Sequence, residues 1–142
     1  MQQIKTVIAD DEPLAISNLK AKLATYPNIQ IDACFDNGDE VLAYLQNTAV
    51  DLVFLDIQMP EMDGLAVCRA LKADPATRDI AIVFITSHID TEHELSSLSE
   101  GGIDFLRKPL HAATCRIRIK NLLDLSRYSR QVEAEKEWLR VT

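Results

Sequence analysis

The chain has 142 residues, 47% of them hydrophobic and 26% charged, the balance of one globular domain with a single core. Fifteen basic against twenty-two acidic side chains leave a formal charge of −7, a field that repels nucleic acid and anionic membrane and argues against both as direct partners. No apolar stretch approaches the length of a membrane span and Met1-Gln2-Gln3 begins no signal peptide, so a cytoplasmic protein is expected.

In chain order the first element is Ile4–Ala9, a β-branched, apolar run that reads as a strand and ends on Asp10, Asp11 and Glu12. Near Pro13 an amphipathic stripe begins, Leu14, Ile16, Leu19 and Leu23 at helical spacing, and Pro27-Asn28 breaks it before a second strand, Ile29–Phe35. Val41, Leu42 and Leu45 mark a second helix. The third strand, Leu52–Leu55, is apolar throughout, yet it delivers a carboxylate at Asp56 before Pro60 and Gly64 break the pattern. Leu65, Val67, Cys68 and Leu71 form a third helix that ends at Asp74-Pro75.

Ile80–Ile85 is the fourth strand, followed by Thr86 and Ser87. Leu95 and Leu98 make a weaker fourth helix closed by Gly101-Gly102, and a brief fifth strand, Phe105–Leu106, runs out at Lys108-Pro109. The last segment, from about Ala112 to Leu139, is charged, lacks Gly and Pro, and is longer than one small domain needs to cover its sheet. Cys34, Cys68 and Cys115 are odd in number, far apart and in no CxxC pair, which favours core residues in a reducing compartment over metal or redox chemistry.

Strands alternating with helices of this length predict an α/β fold of βαβ units, with five parallel strands, five helices and helices on both faces. Ligands of such sheets bind beyond the carboxyl ends of the strands. The residues there are Asp10, Asp11 and Glu12, then Asp56, then Thr86 and Ser87, then Lys108. Each has a plain alternative: Asp10 and Asp11 as helix caps, Asp56 as a turn residue, Lys108 as a solvated charge. Four strand ends supplying complementary chemistry argue for a site instead. One ammonium cannot neutralise so many carboxylates, and hard oxygen ligands suit Mg²⁺. With the acids neutralised, a carboxylate oxygen of Asp56 can attack phosphorus while Lys108 and the Thr86 hydroxyl hold the phosphoryl oxygens.

The stretches "ADDEP", "VFLDIQMPEMDG", "FITS" and "DFLRKP", in this order, resemble the response-regulator receiver domain of two-component signalling. The similarity covers residues 1 to about 125 and implies a flavodoxin-like sheet of order 2-1-3-4-5, with an extended C-terminal helix. By position, Asp56 matches the phosphoacceptor; Asp10 and Asp11 match the acidic pair that holds Mg²⁺, Asp10 through water, with Asp56 and the backbone carbonyl of Gln58 completing the set. Thr86 matches the switch hydroxyl, Phe105 the switch aromatic and Lys108 the phosphate-binding lysine. The resemblance also implies a cis Lys108-Pro109 bond, and a tuning of acyl-phosphate lifetime at Gln58 and His88, against which His88 as a plain surface residue stands as the alternative. Gly101-Gly102 departs mildly from the family's usual glycine-alanine.

The implied partners are a sensor histidine kinase or a histidine phosphotransfer protein, and the implied role is regulatory, without turnover as an enzyme. Position 58 is Gln, which argues against a phosphatase that needs a second Asp there, and neither GxGxxG nor a P-loop is present. The remaining alternative is a degenerate receiver serving only interaction or dimerisation. Residues 126–142 are expected to be a helical extension or linker toward an effector. Leu125, Tyr128, Val132 and Leu139 fall at coiled-coil spacing, interrupted by Glu135, which suits a homodimer that also uses the face of the fourth helix, fifth strand and fifth helix, against a fraying terminal helix as the alternative. "EAEKEWLRVT" looks like the run-in to a PAS domain, and "KPLHAATCRIRIKNLLDL" resembles receivers joined to cyclic-di-GMP enzymes.

Overall fold

The computed structural model describes residues 3–87, 104–108 and 110–124. The expected fourth helix at Leu95 and Leu98, the Gly101-Gly102 loop, His88, the cis bond expected at Pro109, and the expected Leu125–Leu139 stripe lie outside the described residues.

Five strands, β1 (Ile4–Ala9), β2 (Ile29–Phe35), β3 (Leu52–Asp56), β4 (Ala81–Thr86) and β5 (Asp104–Arg107), form one parallel sheet in the order β2-β1-β3-β4-β5. This is the expected flavodoxin-like order. Among the described residues three helices alternate with them: α1 (Pro13–Leu23), α2 (Gly38–Asn47) and α3 (Gly64–Ala73). The chain steps from β1 outward to β2, then back past β1 to β3 and on to β4. Right-handed crossovers in opposite directions put α1 on one face of the sheet and α2 and α3 on the other.

The two-residue side-chain period of the strands then fills both faces. Val7, Ala9, Val53, Leu55, Ile82 and Phe84 join α2 and α3 residues such as Val41, Leu45, Val67 and Leu71 in one buried cluster. The intervening Ile8, Phe54, Val83 and Ile85 are buried as well, and so are Leu19 and Leu23 of α1. Each large side chain buried in this way contributes roughly 1.5–3 kcal/mol.

The expected strand limits shift slightly. β3 takes in Asp56, because Asp56 pairs in register with Ile85 and the Ile57 N–H donates to the Ile85 carbonyl at 3.0 Å. β4 runs on to Thr86, which pairs with Arg107 of β5. One helix assignment is corrected: Leu14, counted in the apolar stripe of α1, is 77% exposed. It is the second helical residue, so it sits in the first turn ahead of the buried Leu19 and Leu23.

Residues 111–142 form a second compact unit. Within it residues 112–124 are helical, and Cys115, Ile119 and Leu122 make a buried stripe at intervals of four and three.

Candidate functional site

The strand order reverses direction between β1 and β3, the point at whose carboxyl ends open sheets of this kind bind their ligands. β1 delivers Asp10 to this edge and β3 delivers Asp56. Asp10 is held by its backbone, whose N–H donates to the Phe35 carbonyl at 2.9 Å. Its Oδ1 accepts the Glu12 N–H at 2.9 Å, which folds the loop back over the strand end. Asp10 and Asp56 are both buried, whereas Asp11 and Glu12 are exposed. Carboxylate oxygens of these four residues all lie within 4.8 Å of one another.

Lys108 turns in from the end of β5, its N–H donating to the Thr86 carbonyl at 2.8 Å. Its ammonium stands 2.9 Å from Asp10 Oδ2, 2.9 Å from Glu12 Oε1 and 3.4 Å from Asp56 Oδ2. The cation expected to meet Asp56 is therefore shared three ways, and Asp56 has the longest contact. Asp56 Oδ1 accepts the Gln58 N–H at 3.3 Å. Asp10 Oδ2 has the ion pair but is a buried oxygen that accepts no well-directed hydrogen bond.

Burial pushes the Asp56 carboxyl up to about 8; the charge of Asp10 adds to this, Lys108 opposes it, and hydrogen bonds with Asp10 and Asp11 favour the protonated form. Burial works against a charged Lys108, but hydrogen bonds to Glu12 and Asp10 and the charges of Asp56 and Asp10 outweigh it and raise the ammonium above its ordinary value. The electrostatics thus ask for more positive charge than one lysine supplies. A hard divalent cation answers that need: the donors are all oxygens, they converge, and one is a buried oxygen without a hydrogen-bond donor. The residues fit Mg²⁺ in this respect.

Thr86 is buried at the end of β4. The register pairs Phe84 with Phe105 and Thr86 with Arg107, so Thr86 and Phe105 lie on one face of adjacent strands, two positions apart. Phe105 is half-buried and packs against the main core cluster. Of the expected site residues, the structure brings Asp10, Asp11, Asp56 and Lys108 together, with the Gln58 backbone beside them and Thr86 at the neighbouring strand end.

The sequence places Glu12 among the acids at this edge but gives it no role of its own. It also offered Asp10 and Asp11 as caps of α1; instead Glu12 occupies the N-cap, with no side-chain capping bond. A glutamate where a short acceptor is preferred was the available signal.

The loop after Asp56 is fixed by backbone contacts that composition does not disclose. Met62 N–H donates to the Pro60 carbonyl at 2.8 Å across Glu61, whose φ is 69°. This three-residue turn in left-handed backbone stores roughly 1–3 kcal/mol at a non-glycine residue. Gly38, at the start of α2, supports it from behind: a Cβ there would stand 1.9 Å from the Met62 carbonyl oxygen.

A family profile described as the response regulator receiver domain matches residues 6–120. The chain is 36% identical over 133 residues to the cyclic di-GMP phosphodiesterase response regulator RpfG of Xanthomonas campestris, covering 92% of this chain and 34% of that protein. It is 35% identical over 118 residues to the response regulator PleD of Caulobacter vibrioides, covering 83% of this chain and 26% of that one. It therefore spans about a third or less of the length of these two relatives. Among solved structures, the response regulatory domain of MrkE from Klebsiella pneumoniae superposes with a TM-score of 0.79 at 29% identity, covering 88% of this chain and 99% of that one.

Proposed function

The chain belongs to the response regulator receiver domain family, and we propose that it accepts a phosphoryl group on Asp56 from a histidine kinase or a histidine phosphotransfer protein and passes that event on as a change of conformation. The observation that carries this reading is the convergence of Asp10, Asp56 and Lys108 at the switch point of the sheet.

In the transfer, an Asp56 carboxylate oxygen supplies the electron pair for a new bond to phosphorus. The bond from phosphorus to the donor's nitrogen or oxygen breaks, and its electrons leave with the donor. Asp10, Asp11, Asp56 and the Gln58 carbonyl are the groups proposed to hold Mg²⁺, Asp10 through water. Bound there, the metal would neutralise the acids and the charge on the phosphoryl oxygens. Lys108 binds one phosphoryl oxygen and the Thr86 hydroxyl donates to another. As Thr86 is drawn inward, Phe105, on the same face of the adjacent strand, occupies the space behind it.

The proposed readout is the face of the fourth helix, fifth strand and fifth helix, which would mediate a homodimer or engage an output domain. Residues 1–125 would be the receiver and 126–142 a helical extension toward that output. No helix among the described residues is long and apolar enough to cross a membrane, and a cytoplasmic location is proposed with the rest. The domain acts as a regulatory module and not as a turnover enzyme.

Labelling with acetyl phosphate tests the core of this reading. With Mg²⁺ the protein should gain one base-labile acyl phosphate, Asp56→Asn should gain none, and chelation of Mg²⁺ should abolish labelling. An Asp56→Asn chain that labels as well as the parent would refute the assignment.

A further inference from the structure

Of α1, α2 and α3, the one that begins at the site starts without a side-chain cap. Asn37 and Asp63 accept backbone N–H groups at the heads of α2 and α3, from Glu40 and Ala66 at 2.9 and 2.8 Å. At the head of α1 Glu12 accepts none. Its carboxylate sits one methylene further from the backbone than that of a capping aspartate. It reaches instead to the Lys108 ammonium, 96 positions along the chain, at 2.9 Å.

That ammonium has three N–H bonds and three carboxylate neighbours. Asp10 and Asp56 are buried in the floor of the site, while the Glu12 side chain is 60% exposed. Glu12 is therefore the partner that water can replace most easily when Lys108 moves. With Glu12 and Asp10 both at 2.9 Å, Lys108 stands farthest from Asp56, at 3.4 Å.

We propose that Glu12 is a positioning residue for Lys108: it holds the ammonium in the resting protein and competes for it with a phosphoryl group on Asp56. The proposal rests on the reading of Asp56 as phosphoacceptor. Glu12 then sets how readily the domain takes up phosphate, through a contact that is weak, exposed and sensitive to salt.

The test uses the full chain with Glu12→Gln, Lys108→Ala and the double variant. One readout is the acetyl phosphate concentration for half-maximal labelling with Mg²⁺; the other is the ¹⁵N resonance of the Lys108 ammonium. Glu12→Gln should lower the half-saturating concentration about two- to five-fold at low salt, the factor one exposed ion pair carries, and more than it changes the maximal rate. The gain should shrink at high salt, the ammonium resonance should move, and Glu12→Gln should have no effect in the Lys108→Ala background.

An unchanged half-saturation with an unmoved resonance overturns the tether and leaves Asp56 as acceptor. An equal gain with and without Lys108 also overturns it, because Glu12 would then act by repelling the anionic donor through space. If Lys108→Ala does not label, the salt dependence and the resonance decide. Failure of the parent chain to label at Asp56 overturns the phosphoacceptor reading and the competition with it, while the resonance still reports whether the ion pair exists.

Discussion

Gly64 is seated on the backbone of Asp56: a Cβ at position 64 would stand 2.3 Å from the Asp56 carbonyl oxygen. The Gly64 N–H donates to the Ile57 carbonyl at 2.9 Å, so α3 begins against the residue around which the site is built. The obstructing atom belongs to the backbone, so Gly64→Ala must displace either the helix start or the end of β3. The expected loss is about 1–3 kcal/mol, the usual cost of overpacking. Urea denaturation measures it, and phosphate uptake should fall as well. A Gly64→Ala chain as stable and as reactive as the parent would contradict this packing.

The raised Asp56 carboxyl makes stability depend on pH in a defined direction. Between its ordinary 3.8 and its folded value of about 8, the folded chain keeps a proton that the unfolded chain has released. Stability without metal therefore falls as pH rises across that window and levels off above it. Asp56→Asn should flatten the slope and stabilise the metal-free protein at pH 8 by about 1–3 kcal/mol, the range for a buried group relieved of an unmet charge. Mg²⁺ should raise the parent's melting temperature at pH 8, with a smaller rise for Asp56→Asn. Melting curves from pH 5 to 8 supply the check; a parent that gains stability with rising pH refutes the argument.

Thr86 and Phe105 should separate uptake of phosphate from its readout. Thr86→Ala and Phe105→Ala leave the Asp56 carboxylate and Lys108 in place, so both should still label. Beryllofluoride with Mg²⁺, a phosphoryl mimic, should strengthen self-association of the parent chain and much less that of either variant. Shifting a two-state switch from mostly off to mostly on needs about 5.5 kcal/mol of differential binding, so a partial shift is the expected result if the coupling is weaker. Sedimentation with and without the mimic reads this. A parent that stays monomeric in both conditions rules out the dimer and leaves the phosphoacceptor untouched.

Lys72 offers a control away from the site. Its ammonium donates to the carbonyls of Arg78 and Ile80, each at 2.8 Å, and ties the connection between α3 and β4. Burial lowers its pKa from the ordinary lysine value. Lys72→Met removes two charge-assisted bonds and should cost about 1.5–3 kcal/mol. Denaturation should show that loss, while the half-saturating acetyl phosphate concentration stays unchanged. A shift in that concentration would mean the connection couples to the site.

The sequence alone carried the sheet. An apolar run such as Leu52–Leu55 admits few alternatives to a buried strand, and the βαβ alternation with right-handed crossovers leaves few ways to assemble five of them. It also carried the gathering of Asp10, Asp56, Thr86 and Lys108, because parallel strands place all their carboxyl ends on one edge. What it did not carry is decided by distances between residues far apart and by the path of a loop. Lys108 is shared with Asp10 and Glu12 because the end of β5 returns toward the β1 loop, which no local pattern encodes. Leu14 is exposed although its spacing matched the helix stripe, since a first-turn residue need not lie over the sheet. The left-handed Glu61 and the approach of Gly38 to the Met62 carbonyl exist because two loops meet at that edge. Periodicity fixes which side of an element is buried; only the packed chain decides which charged groups come within 3 to 4 Å of one another, and Coulomb energy depends on that separation.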